Sequence, residues 1–284
     1  MIVANIMTFG RSYKNLLYDR INVNEGFSLI KKKREYTSPI LKVRRSSDNT
    51  EQDIYFNNLG LLDETSLLVF VGGGNGFVSI WYNQEFPNDL TKCLINNETA
   101  TQPLIVSSGV IAKLNGKNCI DFTNNGKLHK IHPSLSPKND YYNVFFVGSR
   151  NANGVTLIGN NGYTIITSGY VILEFLNAVV RFRNNNAGGS SSVTETVPLN
   201  TQVIVSSINN AFTEMVFYKR NNLVEKSVSV LNENTNTSGF NKGYTVGNSF
   251  SKLKINELIV FSQDNTEAER LAITTELNSE YNTY

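Results

Sequence analysis

The stretch that decides the fold is Tyr170-Val-Ile-Leu-Glu-Phe-Leu-Asn-Ala-Val-Val-Arg-Phe-Arg183. It divides into two apolar runs, Tyr170–Phe175 and Ala178–Arg183, and the second run alternates. Val180 and Phe182 fall on one side, Arg181 and Arg183 on the other, which is the period of a half-buried β-strand. Runs of the same kind lie on both sides. Upstream are Cys119–Phe122, Val144–Val147, Val155–Ile158 and Tyr163–Ile166; downstream are Val203–Ser206, Met215–Tyr218, Val228–Leu231, Tyr244–Val246 and Ile255–Phe261. Further back, Leu67–Val71 and Phe77–Tyr82 flank Gly72-Gly-Gly-Asn-Gly76 like the arms of a hairpin. About a dozen short strands at this spacing predict an all-β, two-sheet antiparallel sandwich.

Composition points the same way. The 284 residues include forty Asn and twenty Gly but only six Pro, a mixture suited to many tight turns. At 11% aromatic and 18% charged, the chain is unlike a disordered one. A net charge of +2 excludes bulk polyanion binding as the main driving force, so nucleic acid is not an expected partner. Two cysteines exclude a disulfide framework and a multi-cysteine zinc site. Cys93 and Cys119 read as reduced thiols, the second in the core.

The period changes at the C-terminus. Asp264 or Thr266 can cap a helix whose first turn carries Glu267 and Glu269, and Leu271, Ile273, Leu277 and Tyr281 make its apolar stripe. One closing helix on the sandwich is expected. Met1–Ile2 onward lacks the basic start and apolar core of a secretory signal. No run is long enough to span a membrane. The expected organisation is an N-terminal arm over residues 1–26, a possible docking segment, followed by one domain over 27–284. Asn184–Ser192 reads as a low-complexity loop.

Part of the chain is similar to something known. Phe27-Ser-Leu-Ile30, Arg34-Glu-Tyr-Thr37 and above all Val43-Arg-Arg-Ser-Ser-Asp-Asn-Thr-Glu-Gln-Asp-Ile54 resemble the opening of the arabinofuranosidase-B-like catalytic domain. The same opening occurs in bacteriophage virion and tail-associated proteins. The likeness continues through Gly60–Asp63, Leu68–Val78, Trp81–Gln84, Gln102–Val106 and Asn115–Phe122. The second half resembles a concanavalin-like, laminin-G-like jelly roll, ending in Glu257–Phe261 and Glu267–Leu271. The resemblance implies a jelly-roll sandwich. It also implies a virion component made in a host cytoplasm, with other virion proteins and a bacterial surface glycan as partners and a homo-oligomeric state.

It does not carry catalysis over. The enzymes place a nucleophilic Glu after a segment like Leu157-Ile-Gly-Asn-Asn-Gly-Tyr163, yet no Asp or Glu occurs between Asp140 and Glu174. Asn83 stands where the related signature has an acid, and an amide cannot ionise. Glu174 and Asp121 remain as acids, each in a strand without an evident partner. No catalytic residue is assigned, and the expected activity is binding rather than hydrolysis, with an arabinofuranosidase-like hydrolase and a purely architectural protein as alternatives. The best local constellation for a sugar is Trp81, Tyr82, Asn83 and Gln84, which combines aromatic faces with amide groups. Against that stands the reading of Trp81 and Tyr82 as a buried strand end.

Other clusters have plainer readings. Arg44, Arg45, Asp48, Glu51 and Asp53 form a mixed-charge string in which the arginines pin a loop. Its acid spacing is not that of a calcium-binding loop. Lys31–Arg34 reads as a solvated basic face. His129 and His132 lack a third ligand, so no metal or cofactor is expected.

Overall fold

The computed structural model describes residues 16–130, 142–151, 155–160, 170–176, 179–186, 189–210, 214–219, 227–229, 244–246, 252–261 and 265–283. Its elements begin with helix α1 (Leu17–Arg20) and strands β1 (Glu25–Ser28), β2 (Leu41–Arg45) and β3 (Glu51–Ile54). Helix α2 (Glu64–Val71) and strand β4 (Gly76–Trp81) follow, and helix α3 (Glu267–Tyr281) comes last. Between β4 and α3 the described chain is mostly antiparallel strand, with turns and two single 3-10 turns, Leu90–Lys92 and Thr99–Thr101, before Leu128–Lys130.

One leaf of the sandwich centres on the strand Leu253–Phe261. It pairs with β1 and Ile120–Asp121 and, over its full length, with Tyr142–Arg150. The leaf then continues through Val203–Asn210, Glu214–Lys219 and Ser227–Ser229. The other leaf runs β3, β2, β4, Leu94–Ile95, Leu128–Lys130, Tyr244–Val246, Val155–Asn160, Tyr170–Leu176, Val179–Asn186 and Gly189–Thr196. Leu104–Ser107 bonds to both β4 and Ile120–Asp121, so hydrogen bonding passes from one leaf to the other.

The central strands of the first leaf are buried on both faces. Val144, Phe146, Leu258 and Val260 enter the space between the leaves, where they meet Phe27, Val43, Val78 and Trp81. Their alternates Phe145, Val147, Ile259 and Phe261 pack beneath Leu17, Tyr18, Ile273, Leu277 and Tyr281. This explains why these strands read as continuous apolar runs. α3 is therefore a third layer, held at its start by a reciprocal capping box between Thr266 and Glu269. Of the expected helical stripe, Ile273, Leu277 and Tyr281 face inward, while Leu271 is exposed.

Three expectations need correction. Leu67–Val71 is not a hairpin arm but the body of α2. Asp63 caps that helix by accepting from the Ser66 amide at 3.0 Å, and Leu67, Phe70 and Val71 turn inward at helical spacing. Gly72, at φ 65°, ends it in a conformation that suits glycine. The described part of the supposed arm is integral to the domain. Leu17, Tyr18, Ile21 and Val23 are core, and residue 26 lies inside β1 rather than at a boundary. Most of Asn184–Ser192 is strand, with Asn184 opposite Ser191 and Asn186 opposite Gly189. The run Tyr163–Ile166 and His132 lie outside the described residues.

Candidate functional site

Of the four residues singled out as a sugar site, three are interior. Trp81 is fully buried against Phe27, ring centroids 5.8 Å apart. The Asn83 side-chain oxygen accepts from the amides of Gly26 and Glu85, and its Nδ2 donates to the carbonyls of Asn24 and Lys92. Gln84 accepts from the Lys32 amide at 2.8 Å and donates to the carbonyls of Ser28 and Ile30. These amides stitch the segment after β4 to the chain around β1. Each bond replaces a backbone partner that burial would otherwise leave unmade.

Tyr82 is different. Its ring is buried, but its hydroxyl donates to Asp53 Oδ1 at 2.9 Å, and Lys42 Nζ lies 3.6 Å from the same oxygen. Asp53 and Lys42 sit opposite each other on β3 and β2, on the outer face of the second leaf. Alternation explains the placement: Leu41, Val43 and Ile54 point into the core, so Lys42 and Asp53 must point out. Tyr55, two residues beyond Asp53, is 47% exposed. Burial raises the Tyr82 phenol above its ordinary range, the Asp53 carboxylate adds to the rise, and Tyr55 contributes a little. The result is a carboxylate held in place by a phenol and an ammonium, beside an exposed aromatic ring. A sugar needs such parts: an acceptor for hydroxyls, a donor, and a flat apolar surface.

The same outer face continues across β4. A register shift between Lys42 and Val43 lets both Phe77 and Ile80 face outward while Val78 and Trp81 face the core. Arg44 stacks over Phe77 at 4.5 Å and reaches Gln102 and Asn49, at 2.7 and 2.5 Å. Gln102 in turn donates to the Asn96 carbonyl, which fixes the turn that follows. Arg45 grips both oxygens of Asp48, so the mixed-charge string does pin a loop.

The basic run is only in part a solvated face: Arg34 is exposed and Lys31 and Lys33 are half-buried, but Lys32 is not at the surface. Lys32 is fully buried and pairs with Glu257 at 2.9 Å and with Glu280. Glu257 also accepts from Tyr281 at 2.8 Å, Ser28 at 3.2 Å and Tyr18 at 3.4 Å. Burial, and then Glu257, hold the phenols of Tyr18 and Tyr281 well above their ordinary range. The local sequence places Glu257 inside a strand run but gives no sign of the lysine and phenols that meet it. A second fully buried ion pair, Glu25 with Lys130, was equally invisible. Cys93 and Cys119 are free and buried, and burial pushes their thiols up to about 11 and about 12. Among the described residues, no cluster of His, Cys, Asp and Glu could hold a metal ion. Asp121 is occupied by Thr123 and lies 3.7 Å from Lys254.

No protein-family model and no curated protein sequence matches the chain. Among solved structures, it is similar in fold to a glycoside hydrolase family 54 α-L-arabinofuranosidase soaked with a cyclic sulfate inhibitor. The TM-score is 0.66 and the identity 11%, over 92% of this chain and 64% of the other. An arabinofuranosidase complexed with arabinofuranosyl-α-1,2-xylobiose gives a TM-score of 0.61 at 11% identity, with the same coverage. The binding domain of Paraclostridial Mosquitocidal Protein 1 gives 0.50 at 10% identity, over 84% of this chain and 52% of that one. The chain thus has the β-sandwich fold of these proteins and spans under two thirds of their length.

Proposed function

We propose that this protein is a glycan-binding β-sandwich without enzymatic activity. It displays the outer face around Asp53, Lys42, Tyr82 and Tyr55 to a bacterial surface polysaccharide. The observation that carries the reading is the Asp53 carboxylate: Tyr82 and Lys42 hold it on one side, and it is partly open to solvent beside an exposed tyrosine ring. The setting proposed is the particle of a tailed bacteriophage, as a homo-oligomeric fibre, tail-associated or capsid-surface protein. Support for that setting is the resemblance in Val43–Ile54.

A hydrolase is the second reading, and one observation favours it. Glu51 and Asp53 share the outer face two residues apart on β3, roughly 7 Å along the strand, a separation at which two carboxylates can flank a glycosidic bond.

The experiment is binding of labelled protein to whole bacteria and to their extracted surface polysaccharides, with sugar release followed in the same samples. Binding without release, lost in Asp53→Asn and in Tyr55→Ala, is the expected result. Release abolished by Glu51→Gln would replace it with the hydrolase. A folded sample that neither binds nor releases would leave an architectural role.

A further inference from the structure

The outer face carries more than its Asp53 end. Asp53, Lys42, Ile80, Ile95 and His129 lie opposite one another on five neighbouring strands, in one row across the sheet. The backbone register carries the row on to Thr245 and Gly159. At about 4.8 Å between strands, Asp53 and His129 are about 19 Å apart. All five side chains are half-buried. The row is polar at its two ends and aliphatic in the middle.

A single terminal sugar would use one end and leave the rest idle. A chain of sugar rings fits the whole row, because each ring is apolar on its faces and polar around its rim. Rings can rest on Ile80 and Ile95 while hydroxyls reach Asp53 and Lys42 at one end and His129 at the other. Charge does not favour an acidic polymer. Lys42 faces Asp53, and near His129 the Lys127 ammonium is paired with Glu98 at 2.7 Å. We infer that this row is a track for an internal segment of a linear, neutral polysaccharide, laid across the strands and engaged from Asp53 to His129. The inference rests on the glycan-binding reading and adds the form of the ligand.

The test uses the full chain and the surface polysaccharide extract, partly hydrolysed and separated by length and charge, with affinity measured by calorimetry at each length. Affinity is expected to rise at least tenfold from disaccharide to tetrasaccharide and then to level off. His129→Ala should erase that gain while leaving disaccharide affinity within twofold, with an unchanged denaturation midpoint as the control for folding. Equal affinity at all lengths overturns the track and keeps a terminal-sugar site. A His129→Ala variant that binds long fragments like the parent also overturns it, as does one equally weakened at every length. Tighter binding of charged fragments than of neutral ones of the same length overturns the neutral class. No binding at any length removes the glycan reading itself, and the track with it.

Discussion

The molecule uses the same three chemical groups twice, a tyrosine hydroxyl, a carboxylate and a lysine. Under α3, Tyr281 and Lys32 hold Glu257 at 2.8 and 2.9 Å. On the outer face, Tyr82 and Lys42 hold Asp53 at 2.9 and 3.6 Å. The chemistry is alike and the surroundings are not. Lys32 and Glu257 are fully buried, whereas the side chains of Lys42 and Asp53 keep 30% and 35% of their exposure. A charge taken out of water must be repaid by several partners at once. Glu257 accordingly has Ser28 and Tyr18 as well. Asp53 remains partly exposed, so it has water where Glu257 needs further protein partners. The buried set joins α1, β1, the strand Leu253–Phe261 and α3, while the open one has acceptor capacity left for a ligand.

Breaking the buried set should cost most. Lys32→Met leaves Glu257 and Glu280 facing each other without their cation, and a loss of about 3–5 kcal/mol in urea denaturation is expected. The double variant Lys32→Met, Glu257→Leu should recover much of that loss, because it removes the stranded charge along with its partner. If Lys32→Met alone were nearly neutral, the set would not be holding the helix layer.

Removing one phenol comes next. Tyr281→Phe deletes a bond to a buried charge and should cost about 1.5–3 kcal/mol, with the same change at Tyr82 costing well under half of that. Alkali tests the buried set. Tyr281 keeps its proton in the folded state above the ordinary phenol pKa of 10.0, where the unfolded chain gives its proton up. Stability should therefore fall as pH rises above 10. In a titration followed by phenolate absorbance, Tyr281 should ionise only as the protein unfolds. The capping box is a smaller contribution to the same layer: Thr266→Ala should lower stability by about 1 kcal/mol, read as a shift in the denaturation midpoint.

The two sets also differ in how far the sequence reveals them. Strand was legible where apolar residues alternate, as over Val179–Arg183, because a period of two is that of a strand. It failed at Leu67–Val71, where five apolar residues in a row fit either element; Asp63 and Ser66, as a cap, were the deciding signal. It failed again at Asn184–Ser192, where small polar residues carry no alternation and only pairing with neighbouring strands makes them strand. Asp53 was visible as one charge in a charged string, and its outward direction follows from Ile54 beside it. What could not be read was which strand would bring Tyr82 to it. Lys32 gave no sign of burial at all, since its partner Glu257 lies near the other end of the chain and looks, in sequence, like part of an apolar run.

The smallest stability effect is expected at Asp53, and it sharpens the contrast most. Asp53→Asn keeps the shape of the side chain and can still accept from the Tyr82 hydroxyl. It loses only a partly solvated ion pair with Lys42, worth less than about 1 kcal/mol. Its denaturation midpoint should therefore stay close to the parent's. Its affinity for surface polysaccharide should nonetheless fall at least tenfold, because an amide offers one acceptor oxygen where the carboxylate offers two with full charge. A large loss of stability would place Asp53 with Glu257 as a structural carboxylate. Unchanged binding in a folded Asp53→Asn protein would move the glycan site away from this end of the face.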